Sequence, residues 1–169
     1  MNIHDPVISG SVPEPTEKPA RSERWDYKMM DNYPVLFQDR NDRGKSLMYF
    51  GACCDDGWRK IVEDLTEAIA KVDTQHIVRV FQIKEKFGTL RYYVNFDTKN
   101  EGLWKTVNDL VSSAEKLTAT TCEICGQPGI LCVKKDGYWY KTVCSSCAKK
   151  EGYENIPKNK MMSCTHLQV

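Results

Sequence analysis

Four cysteines in the C-terminal part of the chain constrain its folding more than any other feature. Cys122 and Cys125 form one C-x2-C pair, Cys144 and Cys147 form a second, and the 18 residues 126–143 separate the two pairs. Each C-x2-C turn directs two thiolates at one centre, and this spacing is typical of four-cysteine zinc sites. We therefore predict one structural Zn²⁺ per chain, held by these four side chains.

The remaining cysteines and the histidines are not expected to add catalytic chemistry to this zinc site. A site of four thiolates is closed, whereas catalytic zinc keeps a water position and often uses histidine. The three histidines of the chain stand outside the module. Cys53, Cys54 and Cys132 are most simply interpreted as small buried apolar residues. The zinc ion is therefore expected to fold its module and to do no chemistry.

The residues around the cysteine pairs predict the architecture of the zinc module. Residues 130–133 and 138–140 favour strands, and the Asp-Gly pair at 136–137 fits the turn of a hairpin. Residues 145–151 can begin a helix. A cysteine knuckle, a hairpin and a helix bearing the second pair resemble a treble clef more than a zinc ribbon. We predict a treble-clef-like zinc-binding module over residues 119–156.

Two longer helices are predicted upstream of the module. Over residues 58–72 and 99–117, apolar residues recur three and four positions apart, which is the pattern of an amphipathic helix. Short polar side chains before each segment can accept hydrogen bonds from the free backbone N–H groups of the first turn. These capping candidates are Asp55 or Asp56 for the first helix and Thr98 with Glu101 for the second.

A β-hairpin completes the predicted core domain, residues 25–118. Residues 76–84 are rich in β-branched and aromatic types, residues 89–96 alternate between apolar and polar, and a glycine lies between them. Residues 25–37 predict two short helical pieces divided at Pro34. This order predicts an α+β fold, with helices packed on a small antiparallel hairpin sheet. Six side chains are expected to be buried: Trp58, Leu65, Leu90, Tyr92, Trp104 and Leu110.

The two ends of the chain are predicted to be tails, and the overall charge is nearly balanced. Residues 1–22 hold four of the seven prolines among polar residues, which predicts a flexible tail, or alternatively an arm that folds on a partner. Residues 157–169 are predicted to form a second flexible tail. The net charge of +1 gives no overall attraction to nucleic acid or membranes. Without a signal peptide or a membrane span, we expect the protein in the cytoplasm.

Four motifs occur in a fixed order between residues 33 and 150. They are CDDGW at 54–58, QIKEKFGTLRYY at 82–93, CEICGQPG at 122–129 and KTVC at 141–144. Together they resemble a family of small proteins that is widespread in tailed phages and prophages and carries this four-cysteine module. The resemblance implies a phage origin and expression in the cytoplasm of a bacterial host. It implies no activity.

Three classes of function are compatible with the sequence. The preferred class is a non-enzymatic accessory protein that binds a host protein and modulates or inhibits it, in host defence or transcription. The second is a nucleic-acid-binding protein that uses basic and aromatic residues of the hairpin and zinc module. The third is a nuclease-like enzyme, although the hairpin of the module lacks the histidine that treble-clef nucleases use. We expect no enzymatic activity.

A partner-binding surface is predicted where the hairpin meets the zinc module. The chain contains four tryptophans and eight tyrosines, which suit interface anchors as well as cores. Neither the identity of the partner nor the oligomeric state follows from the sequence. Six residues are predicted to form the surface: Lys84, Lys86, Arg91, Tyr93, Trp139 and Tyr140.

Overall fold

The computed structural model describes Ala20 and residues 23–156. The two predicted tails, residues 1–22 and 157–169, lie outside the described residues apart from Ala20. In the part of the chain that is described, no helix combines the length and the apolar character needed to cross a membrane.

In the part of the chain that the structure describes, three α-helices precede the cysteine module. Helix α1 spans Trp25–Asn32, α2 spans Arg59–Val72 and α3 spans Glu101–Thr118, which confirms the two longer predicted helices to within a few residues. The predicted second helical piece after Pro34 is wrong, because residues 34–41 form successive turns. Proline cannot donate the backbone hydrogen bond that would continue a helix from α1.

The predicted caps of both longer helices are wrong. A 3-10 turn, Asp56–Trp58, leads into α2, and neither Asp55 nor Asp56 caps it through its side chain. Their carboxylates instead form tertiary contacts: Asp56 accepts from Trp25 Nε1 at 2.8 Å, and Asp55 pairs with a lysine of the cysteine module. Helix α3 is capped by Asn100, whose Oδ1 accepts from the Leu103 N–H at 3.0 Å.

The predicted β-hairpin is confirmed. Strand β1 (Val78–Lys86) pairs antiparallel with β2 (Thr89–Phe96), with an irregularity in register between Val80 and Gln82. Phe87 and Gly88 connect the strands with positive φ angles of 53° and 79°, as a tight two-residue hairpin turn requires. Helices α2 and α3 pack together, and α3 also packs on β2, so the predicted α+β architecture is observed.

The outer edge of β1 is covered by two upstream segments. The Cys53 N–H donates to the Ile83 carbonyl at 3.0 Å, and the Glu85 N–H donates to the Cys53 carbonyl at 2.9 Å. The Val80 N–H donates to the Leu36 carbonyl at 2.8 Å. These bonds occupy an edge that would otherwise be free to pair with another strand. In this bridge Cys53 is exposed, which contradicts its predicted burial, while Cys54 is partly buried.

The main hydrophobic core lies between the hairpin and the helices. Of the six side chains expected to be buried, Trp58, Leu65, Leu90 and Tyr92 are buried, and Leu110 is partly buried. The prediction for Trp104 is wrong, because 57% of this residue is exposed. The side of α3 that faces the core is narrow, and its buried positions are Val107, Ala114 and Thr118.

The cysteine module forms a small three-stranded sheet and one short helix. Strand β3 (Ile130–Lys134) lies between β4 (Tyr140–Val143) and β5 (Tyr153–Asn155), and α4 spans Ser145–Glu151. The second predicted strand, residues 138–140, is wrong in position: most of it lies in the hairpin loop, which the Lys134 N–H closes by donating to the Trp139 carbonyl.

Candidate metal centre

The two C-x2-C pairs converge. The sulfurs of Cys122, Cys125, Cys144 and Cys147 all lie within 4.8 Å of one another, and none of the four forms a disulfide. A tetrahedron of sulfurs placed about 2.3 Å from a central zinc has edges of about 3.8 Å. The Cys125 and Cys144 sulfurs are 3.6 Å apart, close to that value. The four side chains can therefore hold a metal ion.

Local backbone structure positions each pair. In the first pair, the Cys122 N–H donates to the Gln127 carbonyl at 2.7 Å, and the Gly126 N–H donates to the Cys122 carbonyl at 2.8 Å. Gly126 adopts a φ of +77°, which favours glycine. In the second pair, Cys144 caps α4, so that Cys147 returns to the same side one turn later. A knuckle and a helix start thus present the four sulfurs.

The hydrogen bonds within the second pair favour a thiolate on Cys144 over one on Cys147. A hydrogen bond from the Ser146 hydroxyl, with a second from the Cys147 N–H, lowers the pKa of Cys144 to about 6. The hydrogen bond between the Cys147 and Cys144 sulfurs raises the pKa of Cys147 to about 12. One thiolate therefore forms readily, whereas four close thiolates repel one another. A bound cation offsets that repulsion, which is why such clusters bind metal.

The first cysteine pair is docked directly on the helical core. The Gly57 N–H donates to the Glu123 carbonyl at 2.8 Å, and Trp58 Nε1 donates to the Thr121 carbonyl at 2.7 Å. A Cβ atom on Gly57 would lie 2.3 Å from the Cys122 carbonyl oxygen, which is closer than atoms can pack. The turn before α2 and the cysteine knuckle therefore touch backbone to backbone.

A partly buried cluster of one lysine and two carboxylates supports this contact. Lys141 Nζ lies 2.7 Å from Asp55 Oδ2 and 3.2 Å from Glu123 Oε2, and Glu123 Oε1 accepts from the Asp55 N–H at 3.1 Å. Burial raises the pKa of Glu123, and the Lys141 charge opposes this shift. Burial opposes the charge on Lys141, but its bond to Asp55 and the charge of Glu123 outweigh burial and raise its pKa.

The tip of the β1–β2 hairpin also contacts the module. Thr142 Oγ1 donates to the Gly88 carbonyl at 2.7 Å, and the Thr142 carbonyl accepts from the Glu123 N–H at 2.9 Å. A Cβ atom on Gly88 would lie 2.2 Å from Leu131 Cδ1. We call the contact between the two regions the seam. It is formed by four residues of the core, Asp55, Gly57, Trp58 and Gly88, and five of the module, Thr121, Cys122, Glu123, Lys141 and Thr142.

Sequence reasoning identified the cysteines but not the seam. The four motifs at 54–58, 82–93, 122–129 and 141–144 each contribute residues to it. The four motifs were the signal that could have revealed the seam. In them, polar residues and glycines stand beside the cysteines and beside Trp58, although they have no chemical role of their own. Their pairing could not be deduced from sequence, since Asp55 and Lys141 are 86 positions apart.

The six residues of the predicted partner-binding surface lie in two groups. On the outer face of the hairpin, Lys84 Nζ lies 5.5 Å from the centre of the Tyr93 ring. Arg91 pairs with Glu115 of α3 at 3.5 Å. Trp139 and Tyr140 instead line a cleft at the seam, which none of the hairpin residues Lys84, Lys86, Arg91 and Tyr93 lines.

No protein-family model, curated protein or solved structure matches this chain. The phage family that the four motifs resemble therefore stays a prediction.

Proposed function

We propose that this chain is a phage accessory protein that binds a host protein in the bacterial cytoplasm and modulates or inhibits it. It works by occupying a surface of the host protein, in defence or transcription, and not by catalysis. The proposal is supported by the four-sulfur arrangement, in which protein side chains supply a full tetrahedral set of ligands and leave no open position for a substrate.

The metal in this proposal is a single structural Zn²⁺, and the module is a treble clef. Four thiolates in a tetrahedral arrangement suit zinc. The order of elements supports the fold assignment: the knuckle at Cys122–Cys125 comes first, the hairpin of β3 and β4 follows, and α4 begins directly after its cap Cys144, so that the second pair lies at its start. The ion stabilises the module that presents the binding surface.

One observation carries the proposal of partner binding: large aromatic side chains stand exposed at the end of the β3–β4 hairpin. Tyr138 is 82% exposed and Trp139 is 69% exposed. Exposed apolar surface of this kind marks interaction sites, and tryptophan and tyrosine dominate the binding energy of many protein interfaces. Trp139 also lines the cleft at the seam, so a partner that buries these side chains would bind beside the seam.

The test is affinity purification from lysate of a bacterial host, treated with nuclease, using the zinc-loaded full-length protein. The captured protein is identified, purified and titrated against the wild type, Tyr138→Ala/Trp139→Ala and Trp104→Ala. Trp104 is the matched control, since it is also exposed but lies at the other end of β2 from the seam. We expect only the double variant to lose binding. Equal binding by all three proteins, or no saturable binding, would contradict the proposal.

A second candidate function, nucleic-acid binding, is favoured by the outer face of the β1–β2 hairpin. Lys84 faces Arg91 across the strands, Tyr93 lies beside them, and Lys86 Nζ lies 5.4 Å from the Phe87 ring. Neither Lys84 nor Lys86 has a salt-bridge partner among the described residues. Basic groups beside an exposed aromatic ring can contact phosphates and stack a base.

The salt dependence of binding separates the two candidates. Contacts to phosphates release counterions, so nucleic-acid affinity falls steeply with salt concentration. A protein partner held by Tyr138 and Trp139 depends much less on salt. Lys84→Gln/Lys86→Gln should abolish binding to a labelled single-stranded oligonucleotide if nucleic acid is the ligand, and should leave the captured host protein bound if it is not.

A further inference from the structure

A polar cleft of about 440 Å³ opens along the seam. The core contributes the segment 52–55, which covers the edge of β1, and Glu85 of that strand. The module contributes five residues: Glu123, Trp139, Tyr140, Lys141 and Tyr153. The cleft therefore combines residues from both regions and exists only where the module is docked on the core.

The cleft carries more negative than positive charge. Its lining includes the carboxylates of Asp55, Glu85 and Glu123 but only one cation, Lys141. Glu85 Oε1 accepts from the Gly88 N–H at 2.6 Å and Asp55 Oδ2 pairs with Lys141, while the second oxygen of each has no hydrogen-bond partner among the described residues. Two acceptor oxygens thus stay available beside the cleft.

Glu123 adds a buried charge that its surroundings satisfy only in part. The residue is 1% exposed, and its Oε2 has no hydrogen-bond partner among the described residues. Lys141 Nζ forms an ion pair with this oxygen at 3.2 Å, and the same Nζ donates a hydrogen bond to Asp55 Oδ2 at 2.7 Å. One ammonium is therefore shared between two carboxylates.

The acidity of a neighbouring thiol agrees with this excess of carboxylates. Burial raises the pKa of Cys54 to about 12, and the charges of Glu123 and Asp55 add to the shift. Burial is the larger cause, and the carboxylates reinforce it.

Aromatic rings complete the lining. Trp139 is mostly exposed, and Tyr140 and Tyr153 are partly exposed at the same cleft. The Tyr153 ring already carries a cation of this chain, because Lys134 Nζ lies 4.6 Å from its centre. Tryptophan is the best aromatic partner for a cation, and a planar guanidinium can both stack on a ring and donate several hydrogen bonds to carboxylates.

We propose that this cleft binds an arginine side chain of the partner protein, with the guanidinium against Trp139 and hydrogen bonds to Glu85 and Asp55. The inference rests on the proposed function, since it names the group of the partner that the seam recognises. Arginine is favoured over lysine because a planar group with several N–H donors can stack on the Trp139 ring and also bond to both available carboxylate oxygens.

The direct test uses N-acetyl-arginine methylamide as the probe and zinc-loaded, ¹⁵N-labelled full-length protein. The Trp139 indole N–H signal, assigned with Trp139→Phe, should shift saturably on titration. The citrulline analogue, which has nearly the same shape but no charge, should leave it in place, and the lysine analogue should bind more weakly. A citrulline or lysine analogue that binds as tightly as arginine would overturn the proposal, as would the absence of a saturable shift.

Variants that remove one carboxylate charge test whether Glu85 binds the arginine probe. Glu85→Gln keeps an acceptor for the Gly88 N–H but removes the charge, and it should weaken arginine binding by about fivefold or more. Glu67→Gln on the exposed side of α2 removes an equal charge away from the cleft and should change nothing. Both proteins are first checked for zinc content and helical circular dichroism. Equal weakening by the two variants, or none by Glu85→Gln, would overturn the assignment of the cleft.

The same variants distinguish this inference from the proposed function. A host protein that binds the wild type and Glu85→Gln equally would overturn the cleft assignment and leave the accessory-protein proposal standing. A saturable, Glu85-dependent shift with arginine, without any protein partner from host lysate, would support the cleft and contradict the accessory-protein proposal.

Discussion

The helical region and the cysteine module are stabilised by different means. The core of the helical region buries large apolar side chains completely, among them Phe37, Met48 and Trp58. The hydrophobic cluster of the module has only three buried members, Cys122, Cys132 and Val143. A unit this small cannot bury enough apolar surface to fold alone, so metals or disulfides usually supply the difference. The first region is held by packing, and we expect the second to be held by a metal ion on its four sulfurs.

The seam shows how the weaker region depends on the stronger one. The contacts across it are polar or involve glycine, as where the Gly57 N–H meets the Glu123 carbonyl. Because Glu123 stands inside the first C-x2-C pair, the candidate metal ligands and the residues that dock the module are continuous in the chain. Loss of the metal should therefore also loosen the seam, while the packed core does not require either.

The largest expected effect comes from removing the metal. Structural zinc in small modules contributes apparent binding energy of roughly 10–16 kcal/mol. Cys122→Ser, Cys147→Ser or a strong chelator should therefore unfold residues 119–156 and leave residues 25–118 folded. Elemental analysis should find one zinc per chain in the wild type, and hydrogen exchange should report unfolding of the module alone.

Cys53→Ser is the matched control, since this cysteine is exposed and stands outside the cluster. It should retain the metal and the protection of both regions. A metal-free preparation with a fully protected module would contradict the comparison. So would a chelated protein without helical circular dichroism, because the two regions would then have a common source of stability.

The next largest effect should come from the packed core. Leu65 is buried with 5% exposure, and Leu65→Ala should lower the free energy of unfolding by about 2–5 kcal/mol through lost burial and a cavity. Leu110 is only partly buried, so Leu110→Ala should cost about 1–2 kcal/mol. Urea unfolding measures both, and zinc content should be unchanged. An equal cost for the two variants would contradict the assignment of Leu110 to the periphery.

A methyl group at Gly57 should disturb the seam without touching a sulfur. Since its Cβ would meet the Cys122 carbonyl at 2.3 Å, Gly57→Ala should cost about 1–3 kcal/mol and weaken zinc affinity in a competition with a chelator. Gly102→Ala is the control, and it should raise the free energy of unfolding instead of lowering it. Its Cβ atom would lie no closer than 3.7 Å to a neighbouring atom, and alanine favours a helix more than glycine does. Unchanged zinc affinity in Gly57→Ala would show that seam and metal are independent.

The contrast between the regions also explains what the sequence could predict. Periodicity identified α2, α3 and the hairpin, and cysteine spacing identified the candidate metal ligands, because both patterns are local. The start of β4, the short β5 and the cap at Asn100 were missed, since they depend on loop geometry rather than on composition. Contacts between distant residues, such as Asp55 with Lys141, are set by the docking of the two regions and leave no local pattern.

The smallest expected effect concerns Trp104, which the helical pattern wrongly assigned to the core. Periodicity reports which residues share a side of a helix but not how far the partner surface extends around it. Because Trp104 is 57% exposed, Trp104→Ala should change the free energy of unfolding by about 0.5 kcal/mol or less. Trp58→Ala, which removes a completely buried ring, should cost about 3–5 kcal/mol. Urea unfolding measures the free energy of unfolding of both variants, and comparable losses of stability would place Trp104 in the packed core.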